Sequence, residues 1–380
     1  MASMAPKSKY AQLVDSIFGS GTAAFDQADV DTNEVIVALA DDPDFNDFKA
    51  AFEFRLQRLN AAITLNPNLR KAVITTINQV ARRSNWDGAF AELSTLDYFF
   101  SDPRTDAGKS QLDVTVPASE TLAGAMGKSN ANFDLVLPPF NTALDVKLLS
   151  DKSGSIIEGI INQVLNKKGI SMSVIPSYSL AQSYDLFQKK RRDLAIELER
   201  LMDTVARPAS GDSSVIQGLK YQFAWNKGVF SNISIYNPEQ HARNHHTLLF
   251  AHAGKFATNR PSGIIFVHFP WSGEKIPTLG AARKRFFKEL AEQFLHGYAG
   301  SKVDARQFND EFKSPILASE VAAHLSIVIF LEDESVRAKD KTRINISASY
   351  FVNKSAKHTL LTSPLQSYLA SRDAVDLAAM

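Results

Sequence analysis

The sequence predicts an α/β protein, because the spacing of its apolar residues changes from helical to extended near residue 110. Before that point, apolar residues recur every three or four positions, as they do on the buried face of a helix. After it come three short extended runs, and further helical and extended segments then alternate to residue 380. Strands that alternate with helices predict a sheet covered by helices.

Residues 1–80 form a predicted N-terminal helical region. Its longest helix covers residues 44–64 and carries an apolar stripe at helical spacing, made by Phe48, Phe52, Leu56 and Leu59. The Asn66-Pro67 pair ends this helix, and another helix is predicted at 69–81. A further helix at 85–100 stops at Asp102-Pro103.

Three strands are predicted next, at residues 112–116, 133–137 and 143–149. Pro138 and Pro139 end the second strand, since proline cannot donate the hydrogen bond that a central ladder needs. A helical period returns at 155–167. Further helices are predicted at 184–207, 240–256, 281–296 and 364–379, and further strands at 215–225, 229–236, 264–269, 325–331 and 344–352.

The composition describes a globular chain and excludes several kinds of site. With 44% hydrophobic and 22% charged residues, the chain can bury a core. It has no cysteine, which excludes disulfides, thiolate metal ligands and a cysteine nucleophile. Any metal must be held by oxygen or imidazole, which favours magnesium, manganese or calcium. The first residues lack the apolar run of a secretory signal, so we expect a cytoplasmic protein.

The net charge and the hydropathy of the sequence limit the kinds of binding partner that we expect. The net charge of +1 argues against a protein that coats DNA non-specifically, but an enzyme needs basic residues only along one cleft. The longest apolar runs are too short to span a bilayer, so no membrane partner is expected.

Two aspartates and a lysine on successive predicted strands form the most informative pattern. Asp134 lies in the second strand, and Asp145 and Lys147 lie in the third. Side chains two positions apart project from the same face of a strand, so Asp145 and Lys147 share a face. A hairpin between the two strands would bring Asp134 beside them. Neighbouring carboxylates raise each other's proton affinity, and a divalent cation relieves this repulsion.

Structural alternatives remain for each of these residues. Asp145 and Lys147 could form an ion pair on a solvated strand face, although the flanking residues Leu144, Val146 and Leu148 favour a buried strand. Asp134 could be an aspartate at a strand edge or turn. Glu92, on the predicted helix at 85–100, could be an exposed helix residue.

The order of these elements and acids resembles the PD-(D/E)XK nuclease superfamily, whose members include restriction endonucleases. The motifs that carry the resemblance are Glu92 in AFAELSTLDYF, Asp134 in NFDLVLP, and Asp145-Val146-Lys147 in ALDVKLL. Phe133 stands where the family's motif has proline, and the second acid is aspartate rather than glutamate. The resemblance covers about residues 84–170.

The resemblance implies a restriction-endonuclease-like αβββαβ core with a mixed central sheet. After the N-terminal helical region at 1–80, it implies a nuclease core at 84–170, a large insertion with a helix and strands at 171–260, and the rest of the core with C-terminal elements at 261–380. The family's fourth strand would then be the one predicted at 264–269.

The resemblance also implies an activity: hydrolysis of nucleic-acid phosphodiesters with Mg²⁺ or Mn²⁺. Asp134, Asp145 and Glu92 would bind the metal, and Lys147 would be the catalytic lysine. We expect DNA rather than RNA as substrate, and a restriction or defence endonuclease as the biological role. Many members dimerise, so a homodimer is implied, although the sequence marks no interface. The alternative is a non-catalytic nucleic-acid-binding or scaffold protein with a nuclease-like fold.

Several polar residues outside this pattern are further candidates for contact with nucleic acid. Gln163 lies where several family members place a polar residue on the helix after the third strand, and its alternative is a plain surface position. The basic run Lys189, Lys190 and Arg191 could bind phosphates or be a solvated helix face, because acidic residues follow it. Arg243 and His245 could contact phosphates, while a polar surface is the alternative.

Overall fold

The computed structural model describes residues 6–24, 46–82, 86–149, 248–270, 280–335, 345–360 and 362–380, with short stretches between 163 and 246. The helices are α1 (Pro6–Phe18), α2 (Asn46–Leu65), α3 (Arg70–Val80), α4 (Trp86–Phe100), α5 (Leu248–Ala251), α6 (Gly280–His296), α7 (Ala318–Ala323) and α8 (Pro364–Ala370). The strands are β1 (Gln111–Pro117), β2 (Asn130–Leu137), β3 (Thr142–Leu148), β4 (Met172–Ser177), β5 (Ser213–Ile216), β6 (Leu219–Trp225), β7 (Ser262–His268), β8 (Ile327–Asp333), β9 (Ile346–Val352) and β10 (Val375–Asp376).

Within the described residues, seven strands form one mixed sheet in the order β1-β2-β3-β7-β8-β9-β10. Strands β1, β2 and β3 are antiparallel neighbours, whereas β7 lies parallel to both β3 and β8. Strand β9 is antiparallel to β8 and parallel to β10. Strands β4, β6 and β5 form a second, antiparallel sheet. The prediction of an α/β protein with N-terminal helices is confirmed.

The two faces of the large sheet are buried against different helices. Val146 and Ile265 project from one face into a core shared with α1 to α4 and α8. Phe266 and Phe330 project from the other face, where Phe287 of α6 stacks on Phe330 with ring centroids 4.4 Å apart. Strands β7 and β8 are buried along their whole length, which explains why their sequences are nearly continuous apolar runs.

The predicted apolar stripe of α2 is confirmed, since its four members are all at most 1% exposed. The predicted strands at 112–116, 133–137 and 143–149 correspond to β1, β2 and β3, and those at 264–269, 325–331 and 344–352 to β7, β8 and β9. No described helix combines the length and the apolar character needed to cross a membrane.

The predicted tail helix at 364–379 is wrong beyond Ala370. Helix α8 ends there, and the Ala374 amide donates to the Leu369 carbonyl as the chain turns. Asp373 adopts a left-handed backbone with φ of 57°, which an aspartate tolerates at the end of a helix. The chain then forms β10 beside β9, so pairing with the sheet replaces the last helical turns.

Two other predictions need correction. The single strand predicted at 215–225 is two strands, because β5 and β6 pair antiparallel with Ile216 opposite Leu219. The helix predicted at 240–256 is interrupted, since α5 ends at Ala251 and a separate 3-10 turn follows at Ala253–Lys255. The strand predicted at 229–236 lies outside the described residues, as does most of the helix predicted at 184–207.

Gly263 in β7 is closely packed between β3 and β8. A β-carbon at this position would lie 2.6 Å from Ile327 Cγ2 and 2.8 Å from Leu144 Cδ2. We expect Gly263→Ala to lower the free energy of unfolding by about 1–3 kcal/mol, because the core would have to shift. Denaturant unfolding measures this change. Gly280→Ala is the control, since its β-carbon would meet no atom within 4 Å, and equal losses in both variants would contradict the prediction.

Candidate functional site

The turn between β2 and β3 brings Asp134 beside Asp145. A 3-10 turn at Pro138–Phe140 reverses the chain, and Asn141 closes it in a left-handed conformation with φ of 48°. The ladder then pairs Leu135 with Leu144. Beyond this pair, the Asp134 side chain rather than the backbone bonds to β3. Its Oδ2 accepts a hydrogen bond of 2.7 Å from the Val146 amide.

The alternation of side chains along β3 places Asp145 and Lys147 together. Leu144 and Val146 point into the core shared with the N-terminal helices, so Asp145 and Lys147 point to the opposite face. The Asp145 side chain is 2% exposed and that of Lys147 is 24% exposed. Asp145 is therefore not part of a solvated strand face.

Two lysine ammonium groups contact the paired carboxylates. Lys147 Nζ lies 3.0 Å from Asp145 Oδ1 and 2.9 Å from Asp145 Oδ2, and 3.8 Å from Asp134 Oδ2. Lys255 Nζ contacts Asp145 Oδ1 and lies 3.3 Å from Asp134 Oδ1. We call Asp134, Asp145, Lys147 and Lys255 the charged cluster; its formal charges cancel.

Two members of the charged cluster, Asp134 and Lys255, have shifted pKa values. Burial raises the pKa of Asp134 to about 6, and repulsion from Asp145 acts in the same direction. Burial by itself would lower the pKa of Lys255, but attraction to Asp145 and Asp134 outweighs it and raises that pKa. Lys255 is thus firmly cationic, and Asp134 binds protons more readily than an ordinary aspartate.

Glu92 of α4 lies beside the charged cluster. Its Oε2 accepts a hydrogen bond of 3.1 Å from the Thr76 hydroxyl of α3. Burial raises the pKa of Glu92 to about 7, and Asp134 adds to this rise. Glu92 and Asp134 both line a small pocket whose apolar wall includes Leu96 and Leu112.

Asp113 of β1 also lines this pocket and was not anticipated from the sequence. It lies between Leu112 and Val114, whose partners are Leu135 and Phe133, and so it faces Asp134. Its backbone is left-handed, with φ of 52°, which is uncommon for a residue other than glycine inside a strand. Partial desolvation and then repulsion from Asp134 raise the pKa of Asp113.

Lys255 enters the site from a distant part of the chain. It ends the 3-10 turn Ala253–Lys255, within the range 171–260 that was predicted as an insertion. Its neighbour His252 is half-buried. Burial, followed by the charges of Lys147 and Lys255, lowers the pKa of His252 to about 3, so this imidazole is neutral near pH 7.

The other candidate residues are not brought to the charged cluster by the described structure. Gln163 is exposed on a helical segment at 163–167. Lys189, Lys190, Arg191, Arg243 and His245 lie outside the described residues. Their contacts with nucleic acid stay predictions.

The donor atoms of the site suit a hard divalent cation. Asp145 Oδ2 is buried and accepts no hydrogen bond, although it is ion-paired with Lys147. Among the residues that the structure describes, no three acidic or histidine side chains converge tightly enough to hold a metal by themselves. Two carboxylates are nevertheless a common protein contribution to Mg²⁺, which keeps several waters and binds substrate phosphate. The role of Glu92 as a third ligand stays a prediction.

The buried carboxyl of Glu92 makes stability depend on pH. Its pKa rises from 4.5 to about 7 on folding, so between these values the unfolded chain releases a proton that the folded chain keeps. The contribution of this carboxyl group to the free energy of unfolding is therefore fully present below about pH 4.5 and is lost as the pH rises through 7.

We expect Glu92→Gln to be more stable than the wild type at pH 8, by on the order of 2 kcal/mol after allowance for solvent screening. The two should be equally stable near pH 4.5. Denaturant unfolding in metal-free buffer across this range measures the difference, and Glu53→Gln on the exposed side of α2 is the control. A constant difference between wild type and Glu92→Gln at every pH would contradict the prediction.

Likeness to characterised proteins adds nothing to the assignment of this site. Comparisons with protein-family models, with curated proteins and with solved structures gave no match to this chain.

Proposed function

We propose that this chain is a metal-dependent nuclease of the PD-(D/E)XK type that hydrolyses phosphodiester bonds in nucleic acid. The observation that carries the proposal is the convergence of Asp134, Asp145 and Lys147 at one point of the sheet. Asp145 is 1% exposed there and leaves one carboxylate oxygen without a hydrogen bond. Buried, clustered charges with perturbed pKa values are typical of functional sites.

The order of elements around the site supports this proposal. Helix α4 with Glu92 precedes three antiparallel strands, and the acids lie on the second and third of them. Strand β7 then lies parallel to β3. A mixed sheet of this kind is compatible with the restriction-endonuclease-like core that the resemblance implies.

Asp134 and Asp145 would hold the cation, which we propose to be Mg²⁺ or Mn²⁺. When bound, such an ion polarises a phosphoryl oxygen and makes a water molecule more acidic. Asp134 also accepts the Val146 amide, which fixes its carboxylate relative to β3. The Asp134 carboxylate is thereby oriented before any ligand arrives.

Lys147 would act directly on the phosphodiester. Lys147 lies two residues after Asp145 and projects from the same face of β3. Its ammonium donates a 2.8 Å hydrogen bond to the Val146 carbonyl, which holds it in place there. An ammonium held there can orient the attacking water or stabilise negative charge that develops on the phosphate.

The substrate class and biological role belong to the same proposal. We propose DNA rather than RNA as the substrate, and a restriction or defence endonuclease as the role. A homodimer would let two such sites act on two strands.

One observation favours a second candidate, a non-catalytic nucleic-acid-binding or scaffold protein. Lys147 and Lys255 already neutralise Asp134 and Asp145, so the charged cluster satisfies itself without a metal. Such a cluster could serve only to hold β2, β3 and the Ala253–Lys255 turn together.

A cleavage assay separates the two candidates. Purified protein is incubated with supercoiled plasmid, linear DNA and single-stranded RNA in Mg²⁺, in Mn²⁺ and in a chelator. We expect DNA cleavage that needs a divalent ion, and nicked or linearised plasmid as the mark of an endonuclease. If every polynucleotide stays intact with either metal, the nuclease proposal is rejected in favour of the binding protein.

A further inference from the structure

Lys255 occupies an unusual position in the charged cluster, between the two carboxylates. Its ammonium contacts one oxygen of Asp145 and, at 3.3 Å, one oxygen of Asp134. Lys147 instead lies against both oxygens of Asp145 and stays 3.8 Å from Asp134. Lys255 is thus the group that bridges the acid pair, which is the position of a shared cation.

The charge of the cluster restricts what else can bind there. Two carboxylates and two ammonium groups are neutral together, so a divalent cation added to all four would leave a surplus of positive charge. Like charges within about 4 Å repel strongly near a protein surface. We therefore expect one ammonium to move away when the carboxylates hold a metal.

The contacts of the two lysines indicate which of them moves. Lys147 is also held by the Val146 carbonyl. The side chain of Lys255 is 29% exposed, and its contacts in the cluster are with the two carboxylates alone. Its backbone is fixed, since the Lys255 amide donates to the His252 carbonyl and the next residue, Phe256, is 1% exposed. The flexible part is the side chain, which can rotate without a change in fold.

We propose that Lys255 holds the cation position between Asp134 and Asp145 in the metal-free protein and leaves it when a divalent ion binds. This inference rests on the proposed nuclease function. Once displaced, the ammonium needs a new anionic partner, and a phosphodiester bound at the cluster supplies one. Metal and nucleic acid therefore favour each other's binding, and the coupling is equal in both directions.

Titration with Mn²⁺, followed through the electron paramagnetic resonance signal of the free ion, tests the proposal without any cleavage. We expect Lys255→Met to bind Mn²⁺ at least about tenfold more tightly than the wild type, because the competing charge is gone. Lys255→Arg restores the charge and should bind as weakly as the wild type. Lys128→Met removes an exposed lysine paired with Glu311 and is the matched control for net charge.

Equal Mn²⁺ affinity in folded Lys255→Met and in the wild type would overturn this inference. Circular dichroism establishes folding; if Lys255→Met does not fold, Lys255→Gln, which keeps two amide donors for the carboxylates, takes its place. Metal-dependent cleavage by the wild type is scored separately. Cleavage together with equal affinities rejects the role of Lys255 alone, whereas the absence of both cleavage and Mn²⁺ binding rejects the proposed function as well.

Discussion

Asp145→Asn is expected to reduce metal-dependent cleavage by about 10³-fold or more. A bound divalent ion stabilises the charge of the transition state by several kcal/mol, and this substitution removes one of its two proposed carboxylate ligands. The amide keeps the shape of the side chain, so the core around Leu144 and Val146 should stay packed. Initial rates of plasmid nicking in Mg²⁺ measure the loss.

The control for this prediction is Asp310→Asn, which neutralises an exposed acid outside the cluster. It should cleave at the wild-type rate. Circular dichroism is needed for both variants, because Asp145→Asn also removes a partner of Lys147 and Lys255. Wild-type cleavage by a folded Asp145→Asn protein would reject Asp145 as a metal ligand.

The second large effect concerns Arg55, a buried arginine that joins α2, α4 and the end of β8. Its guanidinium is 3.0 Å from Asp97 Oδ2 and 2.7 Å from Asp333 Oδ2. It also donates to the hydroxyls of Ser94 and Ser335. Arg55 is 2% exposed and Asp333 is fully buried, so water cannot replace either partner.

Arg55→Met should lower the free energy of unfolding by about 3–5 kcal/mol, because it leaves Asp333 charged, buried and without its cation. Burial alone would raise the pKa of Asp333, but Arg55 and the hydrogen bonds from Ser335 and Ser94 hold it below the usual range. Without Arg55, the uncompensated charge of this buried carboxylate raises the free energy of the folded state. Thermal and denaturant unfolding measure the loss.

A double substitution identifies the cause. Arg55→Met with Asp333→Asn should recover part of the stability lost in Arg55→Met, since the uncompensated charge is then absent. Arg306→Met removes an arginine from the exposed pair with Asp304 and should leave the unfolding midpoint unchanged. If the double variant is less stable than Arg55→Met, packing rather than charge explains the effect.

The strands around the acid pair could be predicted because their signals are local. Side chains alternate between the two faces of a strand, so Asp145 and Lys147, two positions apart, share a face. The Pro138-Pro139 pair marks the turn that places Asp134 beside them. These features need only neighbouring residues. The first three strands of the sheet therefore match the sequence-based expectation closely.

Features that depend on long-range contacts could not be predicted. Lys255 lies 110 positions from Asp145 in the chain, and no spacing rule joins it to Asp134, Asp145 and Lys147. The left-handed backbone of Asp113 has no signal in the pattern of β1. Arg55 looks like an ordinary polar helix residue, although it is buried beside Phe52 and Leu56. In each case tertiary packing decides the outcome.

The parallel pairing of β3 with β7 has a consequence for how the protein folds. Ala143 faces Ser262, so this ladder closes a loop of more than a hundred residues, whereas β1, β2 and β3 join through short turns. Closing long loops is slow because chain entropy opposes it until many contacts form. We therefore expect the two aspartates to meet early in folding, with Lys147 alone beside them, and the nascent hairpin to carry an excess negative charge until the second lysine arrives.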